Sequence, residues 1–230
     1  MLAIILMDYW WLPLPAFLFA LYAQAKVSGA FNRYSQVRAE SGMTGAQAAR
    51  LILDRAGLQD LPVMEVPGRL SDHYDPLQKR LCLSRENYRS PSVAAVSIAA
   101  HEAGHALQHQ ASYTPLHLRM ALVPLTGFAS NAAVWVFIGG MFMNLTTFAF
   151  AGLCIYGILA LSQLVTLPVE FDASRRAKQQ LQELGMISRT EGPHVSRMLN
   201  AAAMTYVAAM LTSLLYVLQF ALVLLGNRDR

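Results

Sequence analysis

The 230-residue chain is 55% hydrophobic and only 14% charged, well below the charged fraction of an ordinary soluble domain. That composition excludes a typical soluble enzyme and points to a mainly α membrane protein whose first partner is the lipid bilayer. The formal net charge of +4 flanks apolar stretches rather than forming a cluster, which argues against nucleic acid as a partner.

About four apolar stretches are long enough to cross a bilayer as helices. The first, about Leu2–Ala25, is expected to be an anchor occupying residues 1–25. Ala23-Gln24-Ala25 has the look of a signal cleavage site, but residues 1–7 hold no Lys or Arg and Asp8 is acidic. Tyr9, Trp10 and Trp11 suit an interfacial aromatic belt.

Residues 26–119 form the main polar, catalytic segment. Thr44 opens a helical pattern in which Ala48, Leu51, Ile52 and Arg55 recur, ending at Gly57. Val63–Val66 and Lys79–Leu83 read as short strands, with turn chemistry at Pro67-Gly68 and Asp75-Pro76 between them. The Asp72–Leu83 stretch is a candidate substrate-binding edge, along which a peptide adds as a strand at Lys79–Leu83; an ordinary surface hairpin is the alternative reading. Ser92 is placed to cap a helix from Val93 to about Gln110.

That last helix carries His101-Glu102-Ala103-Gly104-His105. One turn apart, His101 and His105 share a face, so their imidazoles can converge on one Zn²⁺ while Glu102 reaches a water that the metal acidifies. The carboxylate then takes the proton as general base, which is the apparatus of peptide hydrolysis. A chance pentapeptide is the poorer reading, because unpaired polar groups in this Ala/Val context would cost several kcal/mol to bury. A catalytic zinc wants a third protein ligand. His109 lies about 12 Å along the axis from His101, too far on a continuous helix. His117, beyond Pro115, is a lesser alternative.

The second and third apolar stretches, Met120–Met141 and Leu145–Thr166, are expected to form a transmembrane hairpin within residues 120–168. Such a hairpin returns the chain to the same membrane face. Glu170, at the start of the segment 169–203, can then approach the two histidines as third ligand of one zinc per chain. Asp172 or Ser174 is placed to orient a ligating histidine through its second nitrogen, and Ser174, one turn after Glu170, shares its face. The fourth stretch, Met204–Leu225, lies in residues 204–230. His73, and Tyr206 at the head of that stretch, are candidate donors to the tetrahedral oxyanion. Nearly all of the 18 basic residues fall in 26–119 and 169–203, which places both segments, and the site, on the cytoplasmic face of a multi-pass protein. Cys82 and Cys154 lie in a polar segment and an apolar stretch, so no disulfide is expected.

Ser92-Val93-Ala94-Ala95, the His101–His105 pentapeptide and Val169-Glu170-Phe171-Asp172-Ala173-Ser174 together resemble the neutral zinc metallopeptidases of the YugP type. Asp72-His73-Tyr74-Asp75-Pro76 and the run 199–206 strengthen the likeness, which extends over nearly the whole chain. The resemblance implies a bacterial plasma-membrane peptidase with a zincin-like catalytic portion, an HExxH helix plus a small β element. It also implies the two histidines and a downstream glutamate as zinc ligands. A broader similarity is to the HtpX and CAAX-protease group, whose downstream motif is Glu-x-x-x-Asp; here Ser174 stands in the place of that aspartate. The expected activity is zinc-dependent hydrolysis of membrane or membrane-proximal polypeptides. The alternative is a non-catalytic zinc-binding membrane protein that binds a partner or senses metal.

Overall fold

Threonine and serine ahead of apolar, alanine-rich runs set two helix starts in the polar part of the chain. The computed structural model describes residues 9–143 and 146–226. In chain order these residues form α1 (Leu14–Tyr34), α2 (Gly45–Arg55), β1 (Val63–Val66), β2 (His73–Asp75), β3 (Arg80–Ser84), α3 (Arg85–Arg89), α4 (Val93–Gln110), α5 (Thr114–Met143), α6 (Thr146–Glu183) and α7 (Gly192–Gly226). The chain divides into two units. One comprises residues 25–117 and 168–203, and the other 1–24, 118–167 and 204–230.

In the first unit, Thr44 and Gln47 form a reciprocal capping box at the start of α2, and Ser92 Oγ accepts from the Ala95 amide at the start of α4. Val37 and Ala39 reach the same corner: the Val93 amide donates to the Val37 carbonyl, and the Ala39 amide donates to that of Pro91. The core is one cluster containing Phe31, Ile52, Leu53, Leu81, Leu83, Val93, Val96, Leu181 and Met198. α4 buries Val93–Ala100 without a break, and its alanines let neighbours come close on every side.

The sheet order is β1-β3-β2, with β1 parallel and β2 antiparallel to β3. This corrects the expectation for Lys79–Leu83. The strand at Arg80–Ser84 is central and paired on both sides, so no peptide can add to it. Leu81, Cys82, Leu83 and Ser84 are all buried, the pattern of an inner strand rather than an edge. The sequence reading missed β2 because its three residues are followed by turn chemistry. Asp75 Oδ1 accepts from the Leu77 and Gln78 amides, and Lys79 takes a left-handed φ of 48° to close the hairpin.

The expectation of four spanning helices also needs correction. Among the described residues two helices, α6 and α7, are long and apolar enough to cross a membrane. The first expected span fails as one helix: residues 9–13 are turns, and α1 starts only at Leu14 and runs on through Lys26 and Arg33. Residues 1–8 lie outside the described residues, as do residues 144–145 in the expected hairpin connection and several side chains of the second span. The third and fourth apolar stretches are parts of longer helices: α6 continues through Pro168 to Glu183, and α7 begins at Gly192. In the second unit, α6 and α7 pack where Gly152 meets the Phe220 ring and where Tyr156 stacks on Tyr216, with centroids 4.4 Å apart. Both cysteines are free.

Gly45 opens α2 directly against the backbone of α3 and α4. A Cβ there would collide with the Asn87 carbonyl oxygen and lie 3.0 Å from that of Ala95. Gly45→Ala is expected to destabilise the first unit by about 1–3 kcal/mol, since backbone rather than a flexible side chain must give way. Thermal unfolding of the detergent-solubilised protein checks this; an unchanged midpoint would refute the close approach.

Candidate metal centre

The crossing of α4 and α6 builds the site. At Gly104 the two backbones come so close that a Cβ would lie 2.6 Å from the Ala173 carbonyl oxygen. His101 and His105 flank that contact on α4, and Glu170 lies one turn before Ala173 on α6. The contact therefore sets all three side chains into one space. Glu170 Oε2 is 3.1 Å from His101 Nε2 and 3.6 Å from His105 Nε2, and the three donor atoms all lie within 4.8 Å of one another. Glu170 and His105 are buried and His101 nearly so.

The other ring nitrogens are held from behind. Ser174 Oγ lies 3.2 Å from His101 Nδ1, and Gln108 Oε1 lies 3.0 Å from His105 Nδ1. Gln108 is itself fixed, because its Nε2 donates to the Val169 carbonyl at 2.7 Å and to Asp172 Oδ2 at 3.0 Å. Both of those partners are acceptors, so the amide has one workable orientation and His105 must carry its proton on Nδ1. Nε2 of His105 thus turns a lone pair toward a carboxylate oxygen. Two acceptors facing each other in a buried site require a cation or a proton between them.

Glu102 points from the same helix and is 8% exposed. Its Oε2 accepts the Tyr74 amide at 3.0 Å, which ties it to strand β2. Burial pushes its carboxyl up to about 7; His101 opposes the rise, and the negative charges of Glu170 and Asp72 add to it. Asp72 in turn accepts from the Ser84 amide and from Asn87 Nδ2, which pins the start of β2 beside the helix.

The chain matches, over residues 9–225, the family described as "putative neutral zinc metallopeptidase". It belongs to that family. It is also 47% identical over 210 residues to the "Putative membrane protease YugP" of Bacillus subtilis (strain 168), an alignment covering 91% of this chain and 93% of that relative. No solved structure matches it.

The donor set fits the zinc that the family's description names. Two imidazole nitrogens and one carboxylate oxygen are the borderline-soft ligands zinc takes in hydrolytic sites. A tetrahedral ion with bonds near 2.05 Å wants its donors about 3.3 Å apart, and the observed 3.1 and 3.6 Å bracket that.

Not every residue singled out in the sequence joins this group. Ser174 contacts His101 directly. Asp172 contacts neither histidine: it accepts from Gln108, Arg175 and Arg176, and so reaches His105 only through the Gln108 amide. His109 binds the Tyr74 hydroxyl at 2.8 Å. His73 is exposed on β2, its Nδ1 2.8 Å from the Ser71 carbonyl. Tyr206 belongs to the second unit, where it lines a groove. Sequence reasoning passed over Gln108, although its place three residues after His105 on the same face was a usable signal.

Two outcomes are expected. Glu170→Ala should strip most of the bound zinc, and Gln108→Leu should weaken zinc affinity about 10–100-fold by releasing the His105 ring; elemental analysis and chelator competition read both, and stoichiometric zinc after Glu170→Ala would remove Glu170 from the site. Gly104→Val should separate α4 from α6 and lower both zinc content and thermal stability together. Full zinc retention in that variant would show that the crossing is not what sets the donors.

Proposed function

We propose that this protein is a multi-pass membrane zinc endopeptidase that cuts membrane or membrane-proximal polypeptides, its site facing the cytoplasm. The observation that carries the reading is the convergence of His101 Nε2, His105 Nε2 and Glu170 Oε2 beside a buried Glu102 on the same helix. His101, His105 and Glu170 are the residues that would hold zinc. When bound, zinc supplies a Lewis acid that brings water toward ionisation at neutral pH and takes up negative charge from a peptide carbonyl.

Glu102 provides the proton transfers. It accepts a proton from the attacking water and returns it to the leaving amine. Its carboxyl, raised to about 7 by burial, is suited to holding a proton between those two events. The Tyr74 amide fixes one of its oxygens and leaves the other for water. Ser174 and Gln108 keep the two rings turned with Nε2 forward. His73 is the candidate oxyanion donor within the unit that holds the metal donors. The exposed faces of the second unit, with Phe128, Trp135 and Leu164 among them, support a lipid setting.

Glu102→Gln separates this from a zinc protein without catalysis. It should keep stoichiometric zinc and lose about 10²–10⁴ of the hydrolytic rate on an unfolded protein substrate in detergent or nanodiscs. Undiminished hydrolysis by that variant would overturn the mechanism, and the absence of hydrolysis by the zinc-loaded wild type would favour a binding or sensing role.

A further inference from the structure

The sheet accounts for only part of the run Asp72-His73-Tyr74-Asp75. Asp72 fixes the start of β2, and Asp75 closes the hairpin at its end. Tyr74, between them, reaches the other way, toward α4. Its partner in the register is Leu81, whose own amide donates to the Pro62 carbonyl on the β1 side. Tyr74 and Leu81 are therefore not a hydrogen-bonded pair, and the Tyr74 N–H points out of the ladder. There Glu102 Oε2 accepts it at 3.0 Å. The hydroxyl of the same tyrosine lies 2.8 Å from His109 Nδ1, and the two rings meet edge to face. Glu102 and His109 stand seven residues apart, two turns along one face of α4. Tyr74 thus holds α4 at two points.

We propose that His109, acting through Tyr74, is a positioning residue for Glu102. The inference rests on the peptidase reading, in which Glu102 is the base. Asp72 and Asp75 already secure both ends of β2, so the bond to His109 is not what keeps the strand in the sheet. What it fixes is the roll of Tyr74 about the strand, and with it the direction of the outward N–H. A carboxylate held by one hydrogen bond follows its donor, so the aim of the free Glu102 oxygen follows as well. Nitrogen rather than carbon of the His109 ring faces the hydroxyl, because 2.8 Å is too close for a C–H···O contact. The ring is steadied on another side by His117, at the start of α5, with centroids 5.8 Å apart. Burial, with the positive charges of His117 and Lys79 adding to it, keeps the His109 imidazole below its usual range. Burial keeps the Tyr74 phenol above its own, so both groups are uncharged at neutral pH.

The test uses the full chain, zinc-loaded, in phosphatidylcholine nanodiscs. The variants are Tyr74→Phe, His109→Ala, the two combined, and His109→Asn. Residue-resolved hydrogen exchange reads the amide at position 74, which no ladder bond protects. It should be protected in the wild type and exchange about tenfold faster in Tyr74→Phe and in His109→Ala. On an unfolded protein substrate, kcat per bound zinc should fall about tenfold in both, with KM within about twofold and zinc content unchanged. The combined variant should be no worse than either single one, as the two ends of one hydrogen bond require. His109→Asn should recover most of the rate, because its amide hangs from Cγ as Nδ1 does and can both donate and accept. An unprotected amide in the wild type overturns the proposal, as do additive losses in the combined variant or no recovery in His109→Asn. So does a lowered melting temperature with kcat per bound zinc unchanged, which marks a bond of structural value only. A wild type that shows the expected exchange pattern and cuts no polypeptide defeats the peptidase reading alone. A wild type that cuts, with kcat indifferent to Tyr74→Phe and His109→Ala, defeats the positioning role alone.

Discussion

The site depends on one contact, the approach of the α4 backbone to the α6 backbone at Gly104 and Ala173. A helix of ordinary side chains keeps its neighbour 8–10 Å away, axis to axis. Glycine removes the one atom that would hold the carbonyl of Ala173 at bay. Within the pentapeptide, the residues at 103 and 104 are free of chemical duty, and the fold uses one of them to bring in the helix that carries Glu170. Packing and coordination are thus one constraint, because a shift at Gly104 moves the third donor away from the other two.

Around that contact the charges are arranged so that few stay unmatched. Glu170 faces two imidazoles, and the negative end of Asp172 is taken by Arg175 and Arg176. Burial raises the Asp172 carboxyl, but hydrogen bonds from Arg176, Gln108 and Arg175 hold it below its usual range, so it stays an acceptor. A permanent acceptor at Asp172 is what fixes the Gln108 amide, and the fixed amide is what sets the tautomer of His105. The route from surface arginines to a ring nitrogen passes through three hydrogen bonds, each with one possible direction.

Much of the first unit is legible in the sequence because its signals are local. The Thr44 capping box, the Ser92 cap, the β1 run and the helix through His101–His105 each follow from a few neighbouring residues. Features that depend on distant partners are harder to read. β2 has three residues and no hydrophobic run, and it exists because β3 pairs with it and Glu102 receives its amide. Hydropathy marks where α6 and α7 are apolar but not where the helices end, since hydrogen bonding carries them on into polar sequence. α1 shows the converse: turns at residues 9–13 interrupt the apolar stretch before the helix starts at Leu14. The approach of Glu170 to the histidines followed from an expected hairpin whose turn lies outside the described residues. The distance itself rests on Gly104, which hydropathy does not register.

The partners behind the two histidines also explain why a serine is acceptable at position 174. A carboxylate behind a ligating imidazole makes it more basic and adds a negative charge to the site. Here both rings are backed by neutral groups, a hydroxyl and an amide. A dication at this place would face the charges of Glu170 and Glu102, with no carboxylate directly behind either ring. Glu102 already sits high because it is buried and has Glu170 and Asp72 nearby. A further carboxylate beside His101 would push it higher still. Neutral partners hold the two rings without adding to that charge, which is the balance the proposed base, Glu102, needs.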